Sequence, residues 1–290
     1  MIIDSHAHYS VFQYKGEFPF LDGKDGILFR NHGKTEELFV RMREEEIKLC
    51  IEPSVRFENF ENQMEFASNH PDIMRAAIGV HPKYCIHAPW EEREKIRKFA
   101  LEYPVIAIGE TGMEYNRNFS ESDFEIQKKW FRYQISLARE LSLPLILHTR
   151  DADESVLRIL EEEKFSFGGV VHCFKSDPQT AQNYIDLGFS IGIGGMLLRK
   201  TAEAEILKET IRTIPLSSIL IETDSPYVTP DLSKVEGSSK QKQKLRNTSL
   251  ILPFVIEEIA HLREENPKTI ANTVLENTLR VFRLKKTTDF

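Results

Sequence analysis

Met1-Ile2-Ile3-Asp4-Ser5-His6-Ala7-His8 opens the chain with a short apolar run that ends on two histidines spaced i, i+2. Residues at that spacing in a strand point to one face, so His6 and His8 can chelate one ion together. The same construction recurs along the chain. Glu110 follows Val105-Ile106-Ala107-Ile108-Gly109, His148 follows Leu145-Ile146-Leu147, and His172 follows Val170-Val171. Asp224 follows Ile219-Leu220-Ile221-Glu222-Thr223. Imidazoles and carboxylates are donors a divalent cation accepts, and strand carboxyl ends are where a parallel α/β barrel gathers its reactive groups. A lone histidine or acid there is more often a surface residue or a helix cap. The weight lies in all six recurring at the same kind of position.

Outward from these positions, short apolar runs alternate with helix-period segments from end to end, as βα units around a parallel sheet require. Eight strands are expected near 1–5, 47–52, 73–79, 104–109, 144–148, 168–173, 188–193 and 217–222. Most are continuously apolar, which suits strands covered on both faces. The predicted fold is α/β, a TIM-type (β/α)8 barrel in a single domain over residues 1–290. Between the strands, 121–142 carries a one-sided apolar stripe, and Asp177-Pro178 suits an N-cap and first helical position. Asp151 with Glu154 has capping-box spacing. Two closing helices are expected at 249–265 and 267–283, with Pro253 tolerable only in the first turn.

With 290 residues, 41% hydrophobic and 29% charged, the chain can bury a sizeable core. No apolar run approaches the roughly 20 residues of a membrane span, and the start lacks the basic and apolar regions of a signal peptide. Three scattered cysteines (Cys50, Cys85, Cys173) do not make a disulfide framework. A cytoplasmic protein without a membrane partner is expected; the sequence leaves the oligomeric state open, with a monomer compatible. The net charge of −7 argues against broad attraction to nucleic acid. It does not argue against an enzyme engaging a short stretch of backbone, because a metal pair reverses the local sign.

Chemically, Glu110 has two carboxylate oxygens and can bridge two ions. His148 and His172, from the fifth and sixth strands, suit the second ion. Asp224, from the eighth strand beside the first, suits the His6/His8 ion and can accept a proton from the attacking water. Two cations roughly 3.5–4 Å apart clamp the attacking and leaving oxygens of a displacement. The expected cofactors are therefore two divalent metal ions, Mg, Mn or Zn. His32, His70, His87 and His261 fall in loops or helices and carry no such pattern.

Six ordered motifs carry a family resemblance: Asp4-Ser5-His6-Ala7-His8, Gly79-Val80-His81-Pro82, Gly109-Glu110-Thr111-Gly112, Leu147-His148-Thr149-Arg150-Asp151-Ala152, His172-Cys173-Phe174 and Glu222-Thr223-Asp224-Ser225-Pro226-Tyr227. The chain resembles TatD-type metal-dependent hydrolases, the TatD deoxyribonuclease branch of the amidohydrolase-like barrels. The resemblance implies a (β/α)8 barrel and a metal centre, with His6, His8, Glu110 and Asp224 on one ion and Glu110, His148 and His172 on the other. It also implies cleavage of DNA phosphodiester bonds. Asp224 and Glu110 are then the catalytic residues, and His81 and Arg246 the substrate-binding ones; the bland reading of His81 is a cap before Pro82. No lysine stands at the fifth-strand motif, so no carbamylated-lysine bridge is expected. Three departures from the family pattern stand out. Glu114 replaces an aspartate, Tyr9 replaces a leucine, and Arg246-Asn247-Thr248-Ser249 replaces Arg-Asn-Glu-Pro.

Two long loops, 9–33 and 225–247, should emerge at the metal end. Phe12, Tyr14, Phe18, Phe20 and Phe29 in the first could stack bases, although packing of the loop onto the barrel is the favoured expectation. Lys234, Lys240, Lys242 and Lys244 in the second could attract phosphate, against a solvated charge run. The leading functional expectation is a metal-dependent deoxyribonuclease with DNA as partner. The alternatives are hydrolysis of a small lactone, amide or other ester on the same centre, and a non-catalytic metal-binding barrel.

Overall fold

The first apolar run forms β1 (Ile2–Asp4), which pairs in parallel with β2 (Ile47–Pro53), and β2 pairs with β3 (Met74–Ala77). A second parallel series runs in order through β4 (Ile108–Glu114), β5 (Leu145–Arg150), β6 (Gly169–Val171), β7 (Phe189–Ile193) and β8 (Ile219–Ile221). Backbone contacts join the two series at both seams. Ile78 pairs with Ile108, and the Gly109 N–H donates to the Ile78 carbonyl at 2.8 Å. Ala7 pairs with Ser225, and the Asp224 N–H donates to the His6 carbonyl at 2.9 Å. The eight strands close on themselves. The computed structural model describes residues 1–12, 15–115 and 117–285, and over these the fold is the expected (β/α)8 barrel.

Helices lie between successive strands as the periodicity predicts. Glu121–Leu141, Pro178–Asp186, Leu252–Arg263 and Pro267–Phe282 match four expected segments. Asp177 caps its helix by accepting the Thr180 N–H at 3.0 Å, and Pro253 falls in the first turn of its own helix. The capping box at Asp151 and Glu154 does not form. That helix starts at Asp153 from an uncapped Ala152, and Asp151 adopts a left-handed backbone instead (φ 53°). The Asp153 carboxylate is taken up by Thr149, Ser176 and Tyr184.

The barrel axis is polarised. Ile3, Leu49, Ile51, Ala77, Ala107, Ile146, Val170 and Leu220 form one buried cluster with Leu275, Leu279 and Phe282 of the last helix. That plug fills one end. On β5 and β6 the next residue on the same face is polar, so His148 stands two places beyond Ile146 and His172 two beyond Val170. Beyond Leu220 come Glu222 and Asp224. The reactive groups therefore form the layer directly above the plug, at the carboxyl ends of the strands.

The fourth strand departs from its prediction. It extends to Glu114 rather than stopping at 109, because Thr111 to Glu114 stay in register with Leu147 to Arg150. Gly112 makes this possible: it lies at φ 134°, and a Cβ there would meet the His148 carbonyl.

The segment 9–33 is not a loop. A short turn over Tyr9–Phe12 leads into an antiparallel hairpin, Phe18–Lys24 against Ile27–Gly33. Its tip, Asp25-Gly26, has φ of 50° and 77°, the doubly positive geometry of the hairpin turn that Asp-Gly favours. Phe12, Phe18 and Phe20 are buried, Phe12 stacked on Phe18 and Phe20 tilted against it, so these rings pack the hairpin onto the barrel rather than forming an open wall. Tyr14 lies outside the described residues. The 225–247 segment contains the short helix Ser239–Gln243, and its Lys242 ammonium bonds the Leu232 carbonyl at 2.7 Å. Among the described residues no helix is long and apolar enough to cross a membrane, and the three cysteines are free.

Candidate metal centre

Glu110 occupies the middle of the polar layer. Its Oε1 lies 2.7 Å from His172 Nε2, 2.9 Å from His148 Nδ1 and 3.4 Å from His81 Nε2. Its Oε2 faces the other way, 3.6 Å from His6 Nε2 and 3.8 Å from His8 Nε2. Each oxygen of one carboxylate thus addresses a different set of imidazoles. Asp224 completes the first set, with Oδ1 at 3.7 Å from His6 Nε2 and 3.4 Å from His8 Nε2. All six sequence-predicted ligands converge.

The rings are held by packing and backbone. His6 and His172 stack at 3.9 Å between centroids and 11° between planes, while the Nε2 atoms of His6 and His8 stand 3.1 Å apart. The His8 N–H donates to the Ser225 carbonyl at 2.6 Å and ties the first strand to the eighth. Asp224 sits in the left-handed region (φ 54°), which aspartate tolerates better than most residues. Beneath His6, the buried Asp4 accepts from the His6 N–H, from Thr223 and from the Ser249 hydroxyl. Burial outweighs those bonds and pushes its carboxyl up to about 7.

The electrostatics follow from crowding. Burial would raise Glu110, yet His172, His81 and His148 hold it well below the usual carboxylate range. Burial opposes the charged form of His172 as well, but Glu110 and Glu222 raise it well above an ordinary imidazole. His6 goes the other way, lowered by burial and by the neighbouring His172. A buried carboxylate among imidazoles whose nitrogens point at it is a donor set that fits divalent cations. The buried His6 Nδ1 has no hydrogen-bond partner, and His148 Nε2 and His172 Nδ1 face only the carboxylates of Glu114 at 3.5 Å and Glu222 at 3.8 Å, so little protein hydrogen bonding competes for those rings.

His81 has two roles at once. Its Nδ1 accepts the Lys83 N–H at 3.0 Å, capping the short helix Pro82–Cys85, while its Nε2 faces Glu110. Both the capping and the site placement are therefore realised. Arg246 is different: it does not line the cavity over the centre. Its backbone bonds Leu21 and Pro19 of the hairpin, although its charge is felt by the Tyr227 hydroxyl.

That cavity has a volume of about 550 Å³ and is also walled by Glu52, Arg56, Lys83, Tyr84, Glu114 and Arg150. None of these was singled out as a site residue from sequence. Glu52 follows the apolar run 47–51, the same signal that marked the others. Glu114 shares a strand face with Glu110, which the early strand end concealed. Its Oε2 lies 3.5 Å from His148 Nε2, and His81, Glu114 and His148 form a third group of mutually close ligand atoms.

The family model for TatD related DNase matches residues 3–283. The chain belongs to the TatD family. An uncharacterized metal-dependent hydrolase of Bacillus subtilis, YabD, is 33% identical over 285 residues, 98% of this chain and 100% of that protein. A protein of Rahnella sp. named 3'-5' ssDNA/RNA exonuclease TatD is 36% identical over 221 residues, 76% of this chain and 81% of its own. Among solved structures, the TatD homologue YjjV of Escherichia coli superposes with a TM-score of 0.77 at 25% identity, covering 98% of each chain. As a TatD-family protein the chain is a metal-dependent hydrolase acting on ester bonds, built on the TIM-barrel fold.

Proposed function

We propose that this hydrolase is a phosphodiesterase that cleaves DNA, acting on short single strands or strand ends with two divalent cations, Mg, Mn or Zn. His6, His8, Glu110 and Asp224 would hold one, and Glu110, His148 and His172 the other. The observation that carries this reading is the division of Glu110: one oxygen faces His6 and His8, the other faces His148 and His172. A bound cation pair supplies Lewis acidity to the phosphate and lowers the pKa of the attacking water. The chain's own groups do the rest. Asp224, at the cavity floor beside His8, accepts the proton of the water. His81, whose Nδ1 is engaged by Lys83, presents Nε2–H to a phosphate oxygen. Arg246 adds positive charge at the Tyr227 side of the mouth. The name of the Rahnella relative, a 3'-5' ssDNA/RNA exonuclease, supports a nucleic-acid substrate.

The test is cleavage of an end-labelled single-stranded oligodeoxynucleotide by wild type and Glu110→Ala, with Mg²⁺, Mn²⁺ and Zn²⁺ in turn and a lactone and phosphodiester panel beside it. Cleavage by wild type that Glu110→Ala lacks supports the reading. Turnover of lactones with none of DNA would replace it with small-molecule hydrolysis.

A further inference from the structure

We infer that Arg56 and Lys83 form a subsite for the phosphate next to the scissile one, so that the enzyme takes an oligonucleotide in preference to an isolated phosphodiester. The inference rests on the phosphodiesterase reading above and specifies its substrate. In a chain of net charge −7, the cavity floor is itself acidic, with Glu52, Glu110, Glu114 and Asp224 around the imidazoles. Its cations stand only on the β2, β3 and β5 side: Arg56, Lys83 and Arg150. Arg150 is already engaged, with Nη1 3.6 Å from Glu114 Oε1. Arg56 and Lys83 have no carboxylate partner among the described residues, whereas Arg41, Arg97 and Arg132 on the outer surface all bond carboxylates.

These two cations are also placed. The Arg56 guanidinium lies 5.4 Å from the centre of the Tyr84 ring and the Lys83 ammonium 5.6 Å from it, so one aromatic ring gathers both charges. Arg56 spends its Nε–H on Asn59 Oδ1 at 3.3 Å, which leaves the two terminal guanidinium nitrogens to grip an oxyanion. The Lys83 backbone N–H bonds His81 Nδ1. A neutral His81 therefore carries its proton on Nε2, the atom 3.4 Å from Glu110. One wall thus runs from the carboxylate–imidazole cluster, through an N–H donor, to two unpaired cations on the rim. An anion at the cluster and a second anion at the rim are what successive phosphates of a nucleic-acid strand supply. Arginine and lysine without acidic partners are the side chains that bind them.

The experiment compares three substrates on the metal-loaded full-length enzyme: bis(4-nitrophenyl) phosphate, a single-stranded pentadeoxynucleotide, and that pentanucleotide with an uncharged methylphosphonate next to the scissile bond. Loss of a charge-assisted contact gives about tenfold in KM. Wild type should lose about that factor on the methylphosphonate substrate. Arg56→Ala/Lys83→Ala should lose it on the all-phosphate pentanucleotide, with a much smaller change on the small diester and none further on the methylphosphonate. The slope of log kcat/KM against log salt should flatten by about 0.7 per cation removed. Equal losses on all three substrates, or a methylphosphonate that wild type tolerates, would overturn the subsite alone. Wild type that turns over the small diester but neither cleaves nor binds the pentanucleotide would overturn the nuclease reading and the subsite with it.

Discussion

The Tyr9 hydroxyl and Ser249, 240 positions apart in the chain, share two hydrogen bonds: Oη to Oγ at 2.8 Å, and the Ser249 N–H to Oη at 2.8 Å. Both stand at positions where the family resemblance implies leucine and proline. A proline has no N–H to offer a tyrosine, and a leucine has no oxygen to receive one. Here the phenol is fully buried, and Ser249 supplies both partners. Ser249 Oγ also donates to Asp4 Oδ2 at 2.6 Å, so the pair is wired to the carboxylate under His6. A buried tyrosine–serine–aspartate chain thus lies beneath the candidate metal centre.

Tyr9→Phe should therefore destabilise the protein by about 1–3 kcal/mol, because it leaves the buried Ser249 N–H unpaired. Tyr9→Phe and Ser249→Ala should be non-additive, since they remove one shared interaction. Chemical unfolding of the two single variants and the double variant measures the coupling. Additive losses would show that the two groups act independently.

Removing Glu110 should disassemble the centre, because among the described residues it is the only carboxylate that faces both imidazole sets. Glu110→Ala is expected to bind fewer divalent ions per chain than wild type and to lose activity by at least about 10²–10³-fold. Elemental analysis after chelator-free purification, paired with turnover of a small phosphodiester, checks both. Full metal content in the variant would show that the carboxylate is not the shared ligand.

The barrel was legible because its strands are buried on both faces and so read as continuous apolar runs, and the candidate ligands because five of those runs lead into an imidazole or a carboxylate. What was missed has local causes. Glu52 closes the expected strand 47–52 and obeys the same rule as Glu110, but it belongs to none of the six motifs. Glu114 was hidden because the fourth strand continues through Gly112, whose place against the His148 carbonyl is a tertiary fact. The hairpin is announced by Asp25-Gly26 between two apolar segments, a turn signal that the loop expectation for 9–33 leaves out. The Asp151/Glu154 box failed because Asp151 turns left-handed and Asp153 is held by Thr149, Ser176 and Tyr184. Arg56 and Lys83 could not be found at all from spacing, since Tyr84 gathers them only in three dimensions.

Glu222 opens the motif that ends in Asp224-Ser225-Pro226-Tyr227, and the structure gives it a position of its own. It is buried, accepts the Cys173 N–H at 2.5 Å, and has Oε1 3.8 Å from His172 Nδ1. Gly192 leaves room for it, since a Cβ there would stand 2.5 Å from Oε2. A carboxylate behind a ligating imidazole fixes its tautomer and orientation. Glu222→Gln should weaken metal affinity by about 10–100-fold, with kcat at saturating metal affected less. Competition against a chromophoric chelator gives the affinity. An unchanged affinity would reduce Glu222 to a packing residue.

Glu52 gives the metal-free protein a pH signature. Burial pushes its carboxyl from the ordinary 4.5 up to about 7, against the lowering effects of Ser10, His8 and Tyr9. Between those two values the unfolded chain has released this proton and the folded chain still holds it, so the native state binds more protons and stability falls as pH rises. The contribution is present in full below pH 4.5 and lost as pH climbs through about 7. In the chelated protein, the unfolding free energy of wild type minus that of Glu52→Gln should drop across this window by on the order of 3 kcal/mol. Glutamine stays neutral and keeps one acceptor for the Tyr9 and Ser10 N–H groups, so the difference isolates the ionisation. Added divalent metal should shrink the drop, because a cation in the cavity favours the charged carboxylate. A difference that rises with pH would mean the opposite sign of shift, with Glu52 ionised and stabilised by its two backbone donors.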